Sequence, residues 1–129
     1  MNFILHEEDI KLDHLHVLYF YASWMPYHKK MMIMIDKIEQ KYRNITFSAI
    51  DVDFFKNSCK RFAVVSVPST VVFLDGKEIK RITGMVLTSA FKSIFADICE
   101  STGDHNAKKS NSKEKSNQKD GEENGREDS

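Results

Sequence analysis

Thiols are the side chains in this sequence with the clearest capacity for covalent chemistry, and there are only two of them. Cys59 and Cys99 allow at most one internal disulfide and offer no closely spaced pair. Disulfide exchange needs an attacking thiolate and a second thiol that resolves the mixed disulfide. The sequence leaves two interpretations open: inert helix cysteines, with Cys59 expected in the core, or a single regulatory thiol, with Cys99 beside a charged C-terminal segment as the first candidate.

Imidazoles and thioethers are the second set of side chains with chemical potential. The spacing of His14 and His16 would place both on one face of a strand. Met25 and His28 stand at the start of a predicted helix, and a methionine with a histidine suits copper(I). The spacing fixes no third ligand, and His6 is near the others only in sequence. We therefore predict no specific metal site and no cofactor.

Hydrophobic periodicity predicts the elements that must position these side chains. An apolar run without alternation at residues 16–22 predicts a central strand covered on both faces. A stripe of apolar residues predicts a helix over 26–42 with one buried side. Strands that alternate with helices and end in a hairpin predict an α/β fold, a central mixed sheet with helices on both faces. The other predicted elements are strands at 3–5, 45–52, 70–74 and 77–83, a helix or turn at 7–14, a helix at 54–62 capped by Asp53, and a helix at 88–99 capped by Thr88.

Composition divides the chain near residue 100. The 129 residues carry 19 basic and 19 acidic side chains, a balance that argues against nucleic acid as the partner. No apolar run is long enough to span a membrane, and the acidic start lacks the basic region of a secretory signal, so we expect a cytoplasmic protein. Residues 1–100 form the predicted domain. Residues 101–129 are predicted to be a disordered charged tail that either contacts a partner or only aids solubility.

The order of several short motifs resembles the thioredoxin family over residues 1–100. A buried strand runs into Ser23 and Trp24, where the family has Ala-x-Trp. The resemblance implies a thioredoxin fold with Pro68 in the place of the family's cis-proline and Gly84 in the place of its bulge. The remaining motifs that match at family spacing are Asp51-Val52-Asp53, Val67-Pro68-Ser69 and Asp75-Gly76-Lys77.

Four positions depart from the family in the residues that carry its redox chemistry. Met25 and His28 stand in place of the two cysteines of Cys-Gly-Pro-Cys, and neither side chain forms a disulfide. The family's buried aspartate and the lysine paired with it fall on Tyr19 and Ala49. A buried carboxylate is costly to keep without a task, so the four changes are mutually consistent. We therefore expect no disulfide oxidoreductase activity.

The resemblance also implies a shallow peptide groove, in which the residue before the cis-proline, Val67, hydrogen-bonds an extended segment by strand addition. The groove would be unusually apolar, with thioethers beside aromatic rings. An alternative interpretation is that Pro68 persists only because the strand entry needs it, and that Trp24 packs partly into the core. We predict a redox-inactive protein that binds a partner protein or an extended peptide segment. The groove residues carried over from the family are Trp24, Met25, Pro26, Tyr27, Val67, Pro68, Gly84 and Met85.

The two thiols support a different function. In a thioredoxin arrangement the helices that hold Cys59 and Cys99 cover opposite faces of the sheet, so the two sulfurs cannot bridge. The alternative to a binding protein is therefore a single-cysteine role in cell redox homeostasis, through a mixed disulfide of Cys59 or Cys99 with glutathione. The sequence predicts no oligomeric state.

Overall fold

Five strands and four helices make up the computed structural model, which describes residues 1–102. The predicted tail lies outside the described residues, apart from its first two positions. No helix in this part of the chain is long and apolar enough to cross a bilayer. In chain order the elements are β1 (Asn2–Phe3), a 3₁₀ helix (Glu7–Asp9), β2 (Leu15–Tyr21), α1 (His28–Lys41), β3 (Thr46–Asp51), α2 (Lys56–Arg61), β4 (Ser69–Leu74), β5 (Lys77–Thr83) and α3 (Thr88–Ser101).

The strands form one mixed sheet in the order β1-β3-β2-β4-β5. β3 pairs in parallel with β1 and β2, and β4 pairs antiparallel with β2 and β5. A register shift between Val72 and Phe73 interrupts the last pair. β2 has neighbours on both sides and is buried along nearly its whole length, as its unbroken apolar run predicts.

α1 and α3 cover one face of the sheet, which we call the two-helix face. Met31, Ile35 and Ile38 of α1 are buried there, as are Phe91 and Phe95 of α3. The spacings of three and four residues place each set on one stripe of its helix. The strand residues that meet these stripes are Val17, Tyr19, Phe47, Ala49 and Val72.

α2 and the N-terminal segment cover the opposite face, which we call the one-helix face. Successive side chains of a strand point to opposite faces, so the strand residues that do not face α1 and α3 face this side. With helices on both faces of a mixed sheet, the predicted α/β fold is confirmed. The buried cluster of the one-helix face contains Ile4, Ile10, Leu18, Phe20, Ile50, Phe62, Val71 and Phe73.

α1 begins later than the sequence predicts. The prediction places its first turn at Pro26, whereas the helix starts at His28. Two turns come first: the Met25 N–H donates to the Ala22 carbonyl, and the His28 N–H donates to the Met25 carbonyl, both at 3.1 Å. Pro26 therefore lies in a turn that precedes the helix.

Neither of the predicted side-chain caps forms. Phe55 occupies the N-cap position of α2, because Asp53 lies two residues earlier and its carboxylate accepts a hydrogen bond from Trp24 instead. Leu87 occupies the N-cap position of α3, and Thr88 is the first helical residue. Both helices therefore begin without the side-chain hydrogen bond that a serine, threonine or aspartate cap supplies.

Candidate binding site at the loop end of the sheet

Three segments meet at one end of the sheet, which we call the loop end. β4 is antiparallel to β2 and β5, with Phe20 opposite Ser69 and Ser69 opposite Thr83. The carboxyl ends of β2 and β5 therefore lie beside the amino end of β4. β3 is parallel to β2, so its carboxyl end lies there as well. This arrangement brings together the segments at 22–28, 67–68 and 84–85.

The segment before β4 has backbone groups that the fold does not use. The Val67–Pro68 peptide bond is cis, and the Gly84 N–H donates to the Pro68 carbonyl at 2.8 Å. Gly84 has a φ of +85°, a conformation that favours glycine. Among residues 1–102, no other residue hydrogen-bonds to the backbone N–H or carbonyl of Val67. Both groups retain their capacity to bind an incoming chain.

Aromatic side chains lie on the surface of the segment that follows β2. Trp24 is 69% exposed, and its indole Nε1 donates to Oδ2 of Asp53 at 3.0 Å. Tyr27 is about half exposed, and Pro26 and Met85 are exposed as well. The exposure of Trp24 excludes the interpretation that its ring packs into the core. The hydrogen bond that Trp24 donates to Asp53 fixes the ring at the loop end without burying it.

Met25 does not share this exposure, which corrects the expectation that it lines a surface patch. Its side chain is only 6% exposed and packs in the cluster of the two-helix face. A thioether carries no charge, so its burial has no ionic desolvation cost. The groove residues that reach the surface are therefore Trp24, Pro26, Tyr27 and Met85, with Val67 and Gly84 half-buried and Pro68 buried.

A tyrosine and an alanine stand where the resemblance to the thioredoxin family leads us to expect an aspartate and a lysine. Tyr19 is fully buried and lies opposite Ala49 in the register of β2 and β3. Its ring stacks on Tyr21 with 5.6 Å between ring centroids, and Tyr21 stacks on His28 with 4.8 Å. Burial raises the pKa of both phenols, so both remain neutral at physiological pH. A large ring beside a methyl group fills this part of the core without a charge.

The aromatic stack does not form an acid–base pair. Among the described residues, the Tyr19 hydroxyl and Nδ1 of His28 are buried without a hydrogen-bond partner. A general base must lie within hydrogen-bond reach of the group whose proton it moves. The rings touch only by stacking, so the stack is a packing feature.

The two thiols lie on opposite faces of the sheet, as the resemblance implies. Cys59 packs against the cluster of the one-helix face, and Cys99 lies in the cluster of the two-helix face. Cys99 is 3% exposed and Cys59 is half-buried, which reverses the expectation that Cys59 is the core thiol and Cys99 the accessible one. Cys99 points inward because it continues the buried stripe of α3. Burial raises the pKa of the Cys59 thiol, which keeps it protonated at neutral pH.

The two neighbouring histidines do not share a strand face, contrary to the prediction from their spacing. β2 begins at Leu15, so His14 lies before the strand with a φ of 59°, and its N–H donates to Oδ1 of Asp75. Nε2 of buried His16 lies 2.8 Å from Oγ of Ser48, and burial lowers the pKa of His16. Within the part of the chain that the structure describes, no three His, Cys, Asp or Glu side chains lie close enough to hold a metal ion.

Sequence reasoning misses two contributors to the loop end. Asp53 anchors the indole of Trp24, and Phe54 beside it is exposed. Both follow β3, and the carboxyl ends of parallel neighbouring strands lie at the same edge. The signal that could have found them is therefore the parallel pairing of β2 and β3, which the capping interpretation of Asp53 overlooks.

Comparison with known proteins identifies a family and relatives that this chain resembles. The thioredoxin family model matches residues 4–97. Thioredoxin-1 of Saccharomyces cerevisiae is 32% identical over 75 residues, which cover 58% of this chain and 73% of that protein.

Solved structures give the same result. The oxidised form of mitochondrial thioredoxin 3 from Saccharomyces cerevisiae is 30% identical, with a TM-score of 0.61 over 67% of this chain and 81% of that chain. Oxidised thioredoxin from Plasmodium falciparum has a TM-score of 0.69 over 75% of this chain and 96% of that chain, and at 19% identity it shows a likeness of fold alone.

Proposed function

This chain belongs to the thioredoxin family, and we propose that it serves there as a redox-inactive module that binds an extended segment of a partner protein. The observation that carries the proposal is the loop end itself. An exposed Trp24 lies at the same end of the sheet as the unpaired backbone of Val67, while Met25 and His28 occupy the positions of the family's cysteines. A surface of this kind can recognise a chain and cannot exchange a disulfide with it.

The proposed contact is strand addition. An extended segment beside Val67 would donate to its carbonyl and accept from its N–H, the pair of hydrogen bonds by which an added strand is held. The rings of Trp24 and Tyr27 offer large contact areas at low entropic cost, and the flexible thioether of Met85 adapts to the partner's side chains. Asp53 contributes by orienting the indole.

The first experiment tests the absence of redox chemistry. We expect the full chain to leave the rate of insulin reduction by dithiothreitol unchanged, with Saccharomyces cerevisiae thioredoxin-1 as the positive control. Reductase activity that disappears in Cys59→Ser or Cys99→Ser would overturn the proposal, because the chain has no other thiol.

The second experiment tests the loop end as a binding surface. Affinity capture with the wild-type chain is compared with a Trp24→Ala, Tyr27→Ala double variant and with Ile79→Ala, which removes an exposed apolar side chain from β5. We expect the double variant alone to lose a partner. Trp24 is the only tryptophan, so titration of a peptide from that partner should change the intrinsic fluorescence. Identical captures would remove the loop end from the proposal.

The alternative function is glutathionylation of one cysteine. The burial of Cys99 and the raised pKa of Cys59 both oppose it, because the thiolate is the species that attacks a disulfide. Mass spectrometry of the native chain after treatment with oxidised glutathione distinguishes the two functions. An adduct on Cys59 at neutral pH would favour the alternative.

The proposal includes a reducing, cytoplasmic setting and a protein partner. Among the described residues, Cys59 and Cys99 form no disulfide, and equal numbers of acidic and basic residues give no electrostatic preference for nucleic acid. Fluorescence microscopy of the tagged full chain in cells tests the compartment.

A further inference from the structure

A second apolar surface lies beside the loop end, between the outer side of α1 and the segment that precedes α3. It is an open groove of about 380 Å³. Ile33 is 57% exposed and Leu87 is 78% exposed, which is unusual for large aliphatic side chains. Six of its lining residues are Lys30, Ile33, Met34, Lys37, Met85 and Leu87.

The groove has a defined arrangement of charge. Lys30 and Lys37 are two helical turns apart on α1, about 10 Å along its axis. Ile33 and Met34 lie between them in sequence, so the apolar floor is flanked by a cation on either side. None of the residues that line the groove is acidic.

α3 adds to the positive potential. Its first residue, Thr88, lines the groove, and the first turn of the helix contains no acidic side chain. The amino end of a helix carries a partial positive charge. All charges that line the groove therefore have the same sign.

We propose that this groove binds an acidic amphipathic helix of a partner protein. A partner helix alongside α1 repeats its faces every two turns, the distance that separates Lys30 from Lys37. Acidic residues two turns apart would pair with the lysines, while apolar residues between them would cover Ile33 and Leu87. Helix-in-groove binding of this kind combines an apolar anchor with charges that set specificity.

Other occupants match the groove less well. Two copies of this chain that met groove to groove would bring four lysines together, a repulsion that opposes a symmetric contact. The chain's own acidic residues between Asp120 and Asp128 match the charge. Between residues 103 and 129, however, the only hydrophobic residue is Ala107, so that segment has nothing to cover the apolar floor.

The test uses a fluorescent alanine-based helical peptide that carries two glutamates two turns apart with leucines between them. Fluorescence anisotropy with the full chain should show saturable binding that weakens as salt concentration rises. In the Lys30→Glu, Lys37→Glu double variant, affinity should fall about tenfold or more, because like charges then face each other. A peptide with lysines in place of the glutamates should bind this double variant and not the wild type, which also shows that the variant is folded.

Matched controls separate this surface from the loop end. Lys77→Glu and Lys80→Glu make the same charge change at exposed positions of β5 and should leave binding unchanged. Trp24→Ala should also leave peptide binding unchanged, so the proposal for the groove and the proposal for the loop end are tested independently. Equal affinity in wild type and in the Lys30→Glu, Lys37→Glu variant would overturn the proposal. So would equally tight binding of a peptide whose leucines are replaced by alanine, since that binding would need only charge.

Discussion

The two faces of the sheet differ in whether their buried polar side chains have hydrogen-bond partners. On the one-helix face, His16 is hydrogen-bonded to Ser48, and the Ser58 hydroxyl donates to Oε2 of Glu7 at 2.6 Å. On the two-helix face, the strand residue beneath the loop end is Tyr19, whose hydroxyl is buried without a partner among the described residues. The one-helix face therefore buries strand side chains that are hydrogen-bonded to each other, whereas the two-helix face buries a strand phenol that has no partner among residues 1–102.

This difference bears on two positions that the resemblance aligns with the family's buried aspartate and lysine. Tyr19 and Ala49 stand at these positions, and both belong to the two-helix face. Burial of Met25 on the same face completes an apolar support for the loop end. The backbone of Val67, Pro68 and Gly84 is retained above it. The proposed binding surface therefore lies above an uncharged pair of residues, Tyr19 and Ala49.

The largest expected effect comes from a charge placed on the two-helix face. Tyr19→Asp removes a fully buried ring and leaves a carboxyl group without a partner, so the free energy of unfolding should fall by about 4 kcal/mol. Tyr19→Phe is the control, because the hydroxyl that it removes has no partner within the described part of the chain, and it should change stability by less than about 1 kcal/mol. Urea denaturation measures both, and a Tyr19→Asp chain as stable as wild type would remove the contrast between the faces.

A smaller effect is expected from breaking a polar pair on the one-helix face. Ser48→Ala leaves the buried His16 ring unpaired and should cost about 2 kcal/mol. Tyr42→Phe on the other face removes a buried hydroxyl that has no hydrogen-bond partner among residues 1–102, and it should be nearly neutral. Equal losses in the two variants, measured by the same denaturation, would mean that the faces do not differ in polar satisfaction.

Acid should destabilise the fold through His16 on the one-helix face. Burial lowers the pKa of His16 below its ordinary value of about 6.5, so between these two pKa values the unfolded chain binds the proton and the folded chain does not. The contribution of His16 to stability is therefore complete above about pH 6.5 and decreases as the pH falls toward the folded pKa. His16→Gln should lack this part of the acid destabilisation. Parallel stability profiles for wild type and His16→Gln across that range would contradict the assignment.

Thiol modification should show the smallest difference between the faces. In the native chain, Cys59 should react slowly with Ellman's reagent, and Cys99 at least about tenfold more slowly, because its side chain is almost fully buried. Native Cys59→Ser should show almost no reaction until denaturant is added. Fast modification of that variant would place Cys99 at the surface.

Much of the fold could be predicted because its signals are local. The unbroken apolar run of β2 and the stripes on α1 and α3 follow from side-chain periodicity alone. Helix starts were less predictable, since they depend on contacts between distant residues. Asp53 does not cap α2 because the indole of Trp24, from another segment, hydrogen-bonds its carboxylate.

The candidate site was predictable in position and less so in exposure. Motif order identifies the loop segments, and β-strand pairing brings them together. Whether Met25 or Cys99 faces solvent depends on how each segment rotates against its neighbours. A motif as short as the one that contains Met25 has no periodicity from which its orientation could be inferred. Cys99, in contrast, continues the apolar stripe that includes Phe91 and Phe95, so its burial could have been predicted.

The pairing of Tyr19 with Ala49 has an evolutionary consequence. A mutation that introduced lysine at position 49 would collide with the tyrosine ring, and one that introduced aspartate at position 19 would leave an empty space and an isolated acid. Each of these single replacements therefore passes through a less stable chain. The volumes of the two side chains couple positions 19 and 49, so that either residue is expected to vary only together with the other.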